Sequence, residues 1–441
     1  MTMPRLTPRP WVATDALVQH IATDIGSATA CDSIRARIGQ LVEENRTIHE
    51  VDCINLNPAA NVMSPAAEAL LATSLGTRPS LGHPGAKYEM GLEAVEQIEV
   101  IAAELAAEVF DAPFAEVRIG SGALANLYSF MACCDPGDSI IVPPASIAGH
   151  VTHNSAGAAG LYGLEIHEAP IDGANYTVDV EALAELAHRV QPRMITIGAS
   201  LNLTHHPVEA IRGIADDVGA TVLFDAAHLS GLVAGGAWPN PLHEGAHIMT
   251  MSTYKSLAGP PAGLLVTTDA AIAERVDAIA FPGLTANFDA ANTAALAMTL
   301  LDWQDVGPEH AAAMVDTAAA LATHLIDAGL PVLTTPDGAA TRSHAFAVRA
   351  DAAGGDGHEL ARQLRRANLL TSGIGIPGDA ADAMGAIRIG TNEMVRWGMT
   401  PTDMATVADV IVRAVDGEDP ATVAADVGRF RRRFDRVHFC H

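Results

Sequence analysis

The sequence predicts an α/β protein in which a large domain built on a mostly parallel central sheet is followed by a smaller α/β domain. Three observations predict this. From about residue 116 onward, short apolar runs (Ser139–Val142, Met194–Ile197, Thr221–Phe224, His247–Met251 and Leu264–Thr267) alternate with helical segments, the order expected of parallel strands joined by crossover helices. At 441 residues the chain is too long for one simple core. A second group of short runs, Leu330–Leu333, Ala345–Arg349 and Ala386–Ile389, suggests a further, smaller sheet.

Taken in order, residues 1–14 read as a Pro-rich lead-in, and residues 15–46 space Leu17, Ile21, Ile25, Ile34, Ile38 and Leu41 as helices do, giving an N-terminal helical arm over 1–50. Glu93 to Phe110 repeats Val95, Ile98, Ile101, Leu105 and Val109 every three or four residues with acidic residues between, the pattern of a helix with one face in a core. Leu296–Leu301 and Ala311–Ala322 read as long connecting helices. A boundary near residue 305 divides a large domain, 51–305, from a small C-terminal one, 306–441.

Charge and composition narrow the function classes. With 26 Lys+Arg against 52 Asp+Glu the formal charge is −26, which repels polyanions and makes nucleic acid an unexpected partner. The basic stretch Arg429–Arg433 reads as a solvated or self-paired helix face. Apolar runs such as Ala220–Phe224 are far shorter than a membrane span needs, so no membrane crossing is expected. Five cysteines form no C-x-x-C pair, and the first residues lack the apolar stretch of a signal peptide. The expected location is the reducing cytoplasm.

Chemistry concentrates where strands end, which is where sheets of this type place ligands. Ile119 to Asn126 begins Ile-Gly-Ser-Gly-Ala, small residues ahead of a helix whose backbone N–H groups can close on a phosphate; a tight structural turn and a dinucleotide fingerprint are the alternatives. Asp225 ends an apolar run with His228 three residues on. Such a carboxylate can keep a heteroaromatic nitrogen protonated, as pyridoxal 5'-phosphate requires, or can simply cap the next helix. Lys255 lies in the hydroxyl-rich turn Ser252–Ser256, and the chain has only one other lysine, Lys87; an enclosed lysine loses its proton and can form an imine with an aldehyde. His150 follows the Ser139–Val142 run and could stack on a planar cofactor or move protons. Arg388 sits alone between Ile387 and Ile389, a place where a guanidinium meets a carboxylate. His243–His247 matches H-E-x-x-H, yet Pro239, Pro241 and Gly245 argue against the helix a zinc site would need, so no metal is expected.

Together these segments resemble serine hydroxymethyltransferase, within the aspartate-aminotransferase fold family of pyridoxal-phosphate enzymes. The resemblance covers roughly Asn55 to Arg396 and rests on Gly82-His83-Pro84-Gly85, Ser121-Gly122, Gly149-His150 with Thr152-His153, Gly198-Ala199-Ser200, Asp225-Ala226-Ala227-His228, Thr253-Tyr254-Lys255-Ser256 and Arg388-Ile389-Gly390-Thr391. It implies that residues 51–305 bind the cofactor. Ser121, Gly122 and Ala123 would hold the phosphate, His150 would stack on the ring, and Ser200 and His228 would contact its phenolic oxygen or neighbouring atoms. Asp225 would bind the ring nitrogen, Lys255 the aldehyde carbon and Arg388 the substrate carboxylate. It also implies a homodimer or tetramer with active sites shared between subunits.

Departures from the family pattern bear on the reaction. Leu81 stands where the family has a proton-transferring acid before G-Y-P-G, Ala59-Ala60-Asn61 replaces S-E-N, and Glu89 aligns with a tyrosine. Thr285-Ala286-Asn287 replaces the Q-G-G phosphate loop donated by the partner subunit. The resulting expectation is an aldol-type enzyme making or breaking the Cα–Cβ bond of a small β-hydroxy-α-amino acid, with a small amino acid and an aldehyde as partners. Tetrahydrofolate use is left open: one version is hydroxymethyl transfer, the other a folate-independent aldolase or transaldolase. Glu89 is the candidate substitute acid, with His83 second. Transamination, β-elimination and a catalytically inert assembly protein are the alternatives.

Overall fold

The structure, a computed structural model, describes residues 6–27, 31–380 and 383–441. Its central sheet has seven strands, β1 (Phe114–Glu116), β2 (Ser139–Val142), β3 (Glu165–Glu168), β4 (Met194–Ile197), β5 (Thr221–Asp225), β6 (Ile248–Ser252) and β7 (Gly263–Thr267), in the spatial order β1-β7-β6-β5-β4-β2-β3. Pairing is parallel from β6 through to β3, while β7 and β1 are antiparallel additions at one edge. Each expected run became a strand, because parallel strands are covered on both faces and so read as unbroken apolar stretches. Alternate residues go to opposite faces: Ile140, Leu223 and Ile248 join one apolar cluster, and Ile141, Phe224 and Met249 the other. Each such fully buried side chain contributes about 1.5–3 kcal/mol.

From β2 the chain moves outward to β3 and then returns to β4 on the other side of β2. That reversal opens a crevice beyond the carboxyl ends of β2 and β4. Helices are numbered α1 (Asp15–Ser27), α2 (Cys31–Arg46), α3 (Glu93–Val109), α4 (Gly122–Cys133) and α5 (Ala290–Asp327) where they bear on the argument.

A three-stranded antiparallel sheet, β8 (Ala345–Arg349), β10 (Ala386–Gly390) and β9 (Ser372–Ile374) in that spatial order, forms the smaller layer. Leu330–Leu333 is not one of its strands; only the isolated bridge Val332↔Val348 ties it there, and Ser372–Ile374, unnoticed in the sequence because of its glycine and short length, takes the third place. Leu296–Leu301 and Ala311–Ala322 are parts of one 38-residue helix, α5, which runs straight through Gly307-Pro308. Packing overrides the local breaker, since a Cβ on Gly235 would stand 2.3 Å from Gly307 O and 2.5 Å from Ala311 Cβ. Residue 305 lies inside α5, and Ile54–Asn55 pairs with Leu369–Leu370; a division into 51–305 and 306–441 is therefore our proposal for elements that share a helix and a strand pair.

Helices α1 and α2 form the N-terminal arm, and their apolar stripe is largely exposed: Leu17 is 61% and Ile38 58% accessible. The basic stretch is paired with acids, Arg429 with Asp426, Arg432 with Asp52 and Arg433 with Asp403, while Arg431 is buried over the Trp397 ring. Among the described residues no helix is long and apolar enough to cross a membrane.

Candidate active site

Five segments that follow strand ends converge on one pocket lined by Gly122, Ala123, Asn126, His150, Ala199, Ser200, Asp225, Ala227, His228, Ser252 and Lys255. One corner of it begins at Ser121, the N-cap of α4, whose Oγ accepts the N–H of Leu124 at 3.2 Å. Gly122 opens the helix against the end of β6: a Cβ there would stand 2.2 Å from Ser252 Oγ. The first-turn N–H groups of α4 lack intrahelical acceptors and favour an anion, so Ser121, Gly122 and Ala123 could hold a phosphate.

Asp225 closes β5 and is buried. Its Oδ2 accepts from His153 Nε2 and from Asn126 Nδ2, both at 2.9 Å, and its Oδ1 from the N–H of Ala227 at 3.0 Å. Burial pushes its pKa up, but the hydrogen bond and charge of His153, the nearby His150 and the Asn126 bond outweigh it and hold the carboxyl well below the usual carboxylate range. An anion fixed in that way could keep a ring nitrogen protonated.

Lys255 follows β6 in the same layer and is buried. Burial lowers its pKa to about 8, with Asp225 acting against the shift and Arg388 adding to it. Among the described residues Nζ makes no hydrogen bond, lying 5.9 Å from the Tyr254 ring, so it is available to an aldehyde. Asn61 Nδ2 donates to Lys255 O at 2.9 Å and anchors the turn.

Arg388, from β10, reaches the pocket from the small layer. It donates to Ser372 Oγ at 2.9 Å and to Ser200 O at 3.0 Å, and its Nη1 lies 3.5 Å from His228 Nε2. No carboxylate pairs with it among the described residues, and burial lowers its pKa to about 10. A half-buried guanidinium without a counter-ion suits an incoming carboxylate. Burial, then Lys255 and Arg388, holds His228 neutral, well below the ordinary histidine value.

Of the residues named from the sequence, Gly122, Ala123, His150, Ser200, Asp225, His228 and Lys255 meet at this pocket, with Ser121 at its helix cap and Arg388 at its edge. Glu89 is not among the lining residues. It follows the hairpin Gly82–His83/Ala86–Lys87, has one carboxylate oxygen buried without a partner, and does not pair with Lys87, which is bound to Glu99 at 2.5 Å. His83 is engaged by Asp277 at 2.9 Å. The H-E-x-x-H histidines are apart in role: His243 meets Asp111 at 2.9 Å, and His247 Nδ1 accepts the N–H of Val222 at 2.9 Å. Asn126, Thr152, His153 and Ser372 carried no assigned role in the sequence. A signal existed for Asn126, an amide within the mostly apolar helix α4.

An anion-binding helix start, a fixed carboxylate, a buried free amine and an unpaired guanidinium at the carboxyl ends of a parallel sheet fit pyridoxal 5'-phosphate and define an enzyme of the aspartate-aminotransferase fold. The family model for serine hydroxymethyltransferase matches residues 33–411. An α-methylserine aldolase of Variovorax paradoxus is 59% identical over 434 residues, 98% of each chain, and one of a Ralstonia species is 52% identical over 438 residues, 98% of this chain and 99% of the other. Serine hydroxymethyltransferase of Methanocella arvoryzae is 37% identical over 384 residues, 86% of this chain and 90% of the other. The chain belongs to the serine hydroxymethyltransferase family, whose membership implies pyridoxal 5'-phosphate. It is an aldol-type enzyme acting on small hydroxy amino acids.

Proposed function

We propose that this enzyme interconverts α-methylserine with alanine and formaldehyde, without tetrahydrofolate. The observation that carries the reading is Leu81, an apolar side chain where the family keeps its proton-transferring acid, in a chain matched over 98% of its length by α-methylserine aldolases. Leucine neither donates nor accepts a proton, so the route that needs the acid is closed at that position.

Pyridoxal phosphate, when bound, supplies the electron sink for the bond broken at Cα. The chain's own groups do the rest. Ser121, Gly122 and Ala123 would hold the phosphate at the start of α4, Asp225 would keep the ring nitrogen protonated, and His150 would stack on the ring. Ser200 and His228 would contact its phenolic side, Lys255 would hold its aldehyde carbon, and Arg388 would bind the substrate carboxylate. In cleavage the β-hydroxyl O–H and the Cα–Cβ bond break, formaldehyde leaves, and a proton is delivered to Cα to give alanine.

We assign the proton of the β-hydroxyl to Glu89, acting from the partner subunit of a homodimer. Supporting this are its position outside its own chain's pocket, its unpartnered carboxylate oxygen, and the apolar residues exposed beside it and on the arm: Tyr88 82%, Met90 85% and Leu17 61%.

The test incubates purified enzyme with α-methylserine or serine, with and without tetrahydrofolate, and traps formaldehyde. Folate-independent release from α-methylserine is expected. Strict folate dependence, or turnover of serine alone, overturns the reading. Sedimentation of the loaded enzyme tests the dimer.

A further inference from the structure

The hydrogen bonds around Asp225 fix more than that carboxylate. Asn126 has two amide protons and one carbonyl oxygen, and each is spoken for. Thr250 Oγ1 donates to its Oδ1 at 2.7 Å. Because the ionised Asp225 can only accept, the atom 2.9 Å from its Oδ2 must be the amide nitrogen, Nδ2. The second Nδ2 proton goes to Thr152 Oγ1 at 3.0 Å. Thr152 therefore receives a proton on its hydroxyl oxygen and has its own O–H free to donate, and the acceptor in reach is His150 Nδ1, at 2.9 Å. The backbone N–H of Thr152 points at the same nitrogen from 3.4 Å.

Two donors aimed at Nδ1 leave it as an acceptor, so the proton of the neutral imidazole belongs on Nε2. Nε2 has no protein partner among the described residues, and His150 lines the pocket. We infer that Thr152 is a positioning residue, which through Asn126 holds His150 in the Nε2–H tautomer, so that this imidazole meets the bound ligand as a hydrogen-bond donor and not as a base. Asp225, Lys255, His153 and Arg388 are the charged or titratable groups that act on His150; burial, reinforced by Lys255, His153 and Arg388, outweighs Asp225 and holds it neutral, below its ordinary value.

The inference rests on reading this pocket as the cofactor site, and it sharpens the proton assignment there. His228 shows the same limitation, since its Nε2 faces a guanidinium that has only protons to give. Neither imidazole has a lone pair free for the β-hydroxyl, which leaves that proton to another group, Glu89 in our reading.

The test records ¹⁵N spectra of the cofactor-loaded enzyme labelled at histidine, with His150→Gln identifying the signals. The native protein and Thr152→Ser should show Nδ1 as unprotonated and Nε2 as protonated. Thr152→Val, which removes the donor and strands an Asn126 proton, should show a mixture of tautomers. With it kcat should fall about tenfold or more, while KM stays within about twofold. Thr152→Ser should recover most of the rate.

A protonated Nδ1 in the native enzyme overturns the inference, and so does a Thr152→Val enzyme with native tautomer and native kcat. The native spectrum decides the tautomer even where Thr152→Val does not fold. Failure of the cofactor reading would appear separately, as no Lys255-dependent cofactor absorbance, and the tautomer remains legible in the unloaded protein.

Discussion

Replacing Arg388 with methionine separates a guanidinium kept for substrate from one kept for the fold. The side chain is half-buried without an acid partner, so the protein already bears part of the cost of holding its charge. Exchanging buried ionic groups for apolar ones of similar volume is often neutral or stabilising by about 1–4 kcal/mol. Against that stand the contacts from the charged guanidinium to Ser372 Oγ and Ser200 O, each worth ~1.5–3 kcal/mol. The balance runs from near zero to a few kcal/mol against the variant, and each kcal/mol moves a thermal midpoint by roughly 2–4 °C in domains of 150–250 residues. Amino-acid binding has no such offset: a charge-assisted contact of ~1.5–3 kcal/mol is lost, about ten- to a hundredfold in affinity. Differential scanning calorimetry of the substrate-free enzyme and spectroscopic titration with α-methylserine or alanine read the two effects separately. Arg388→Met should melt at or a few degrees below the native protein and bind the amino acid weakly. A melting point several degrees lower together with unchanged affinity would refute the reasoning and make Arg388 structural.

Asp225→Asn removes the anion that His153 and Asn126 converge on, and turnover should fall by ~10²-fold or more as the electrostatic support of the ring nitrogen is lost; native turnover in steady-state assays would remove it from the mechanism. Gly122→Ala should weaken cofactor retention in dialysis, since its Cβ meets Ser252 Oγ at 2.2 Å, and adding Ser252→Gly should restore much of it. In apoenzyme, the rate of cofactor loading should rise with pH and level off above about 8, because only the neutral Lys255 amine attacks an aldehyde and its pKa lies near that value. Stopped-flow absorbance follows this, and Arg388→Met should move the midpoint upward, since Arg388 helps to depress that pKa.

Much of the architecture was legible because the strands of a covered parallel sheet must be apolar along their whole length. The runs ending at Ile197, Phe224 and Met251 located Ser200, Asp225 and Lys255, which follow them in sequence and face one crevice in space. Arg388 stood out as a cation with no place in an apolar strand. The small sheet was less legible: Ser372–Ile374 is too short to show a period, and Leu330–Leu333 was apolar for packing without strand pairing beyond one bridge. The two connecting helices read at Leu296–Leu301 and Ala311–Ala322 are one helix, which continues through Gly307-Pro308 where Gly235 packs closely against it.

By itself, then, the sequence determined which residue types stand at the strand ends, and from their order the family and the cofactor. Tertiary structure decided how those residues are tuned. The donors that hold Asp225 ionised come from 99 and 72 residues away, and Arg388 meets Ser200 across 188 residues. It also placed Glu89 outside its own chain's pocket. Identity along a chain is local, but protonation state depends on burial and on hydrogen-bond partners, and those exist only once distant segments have packed.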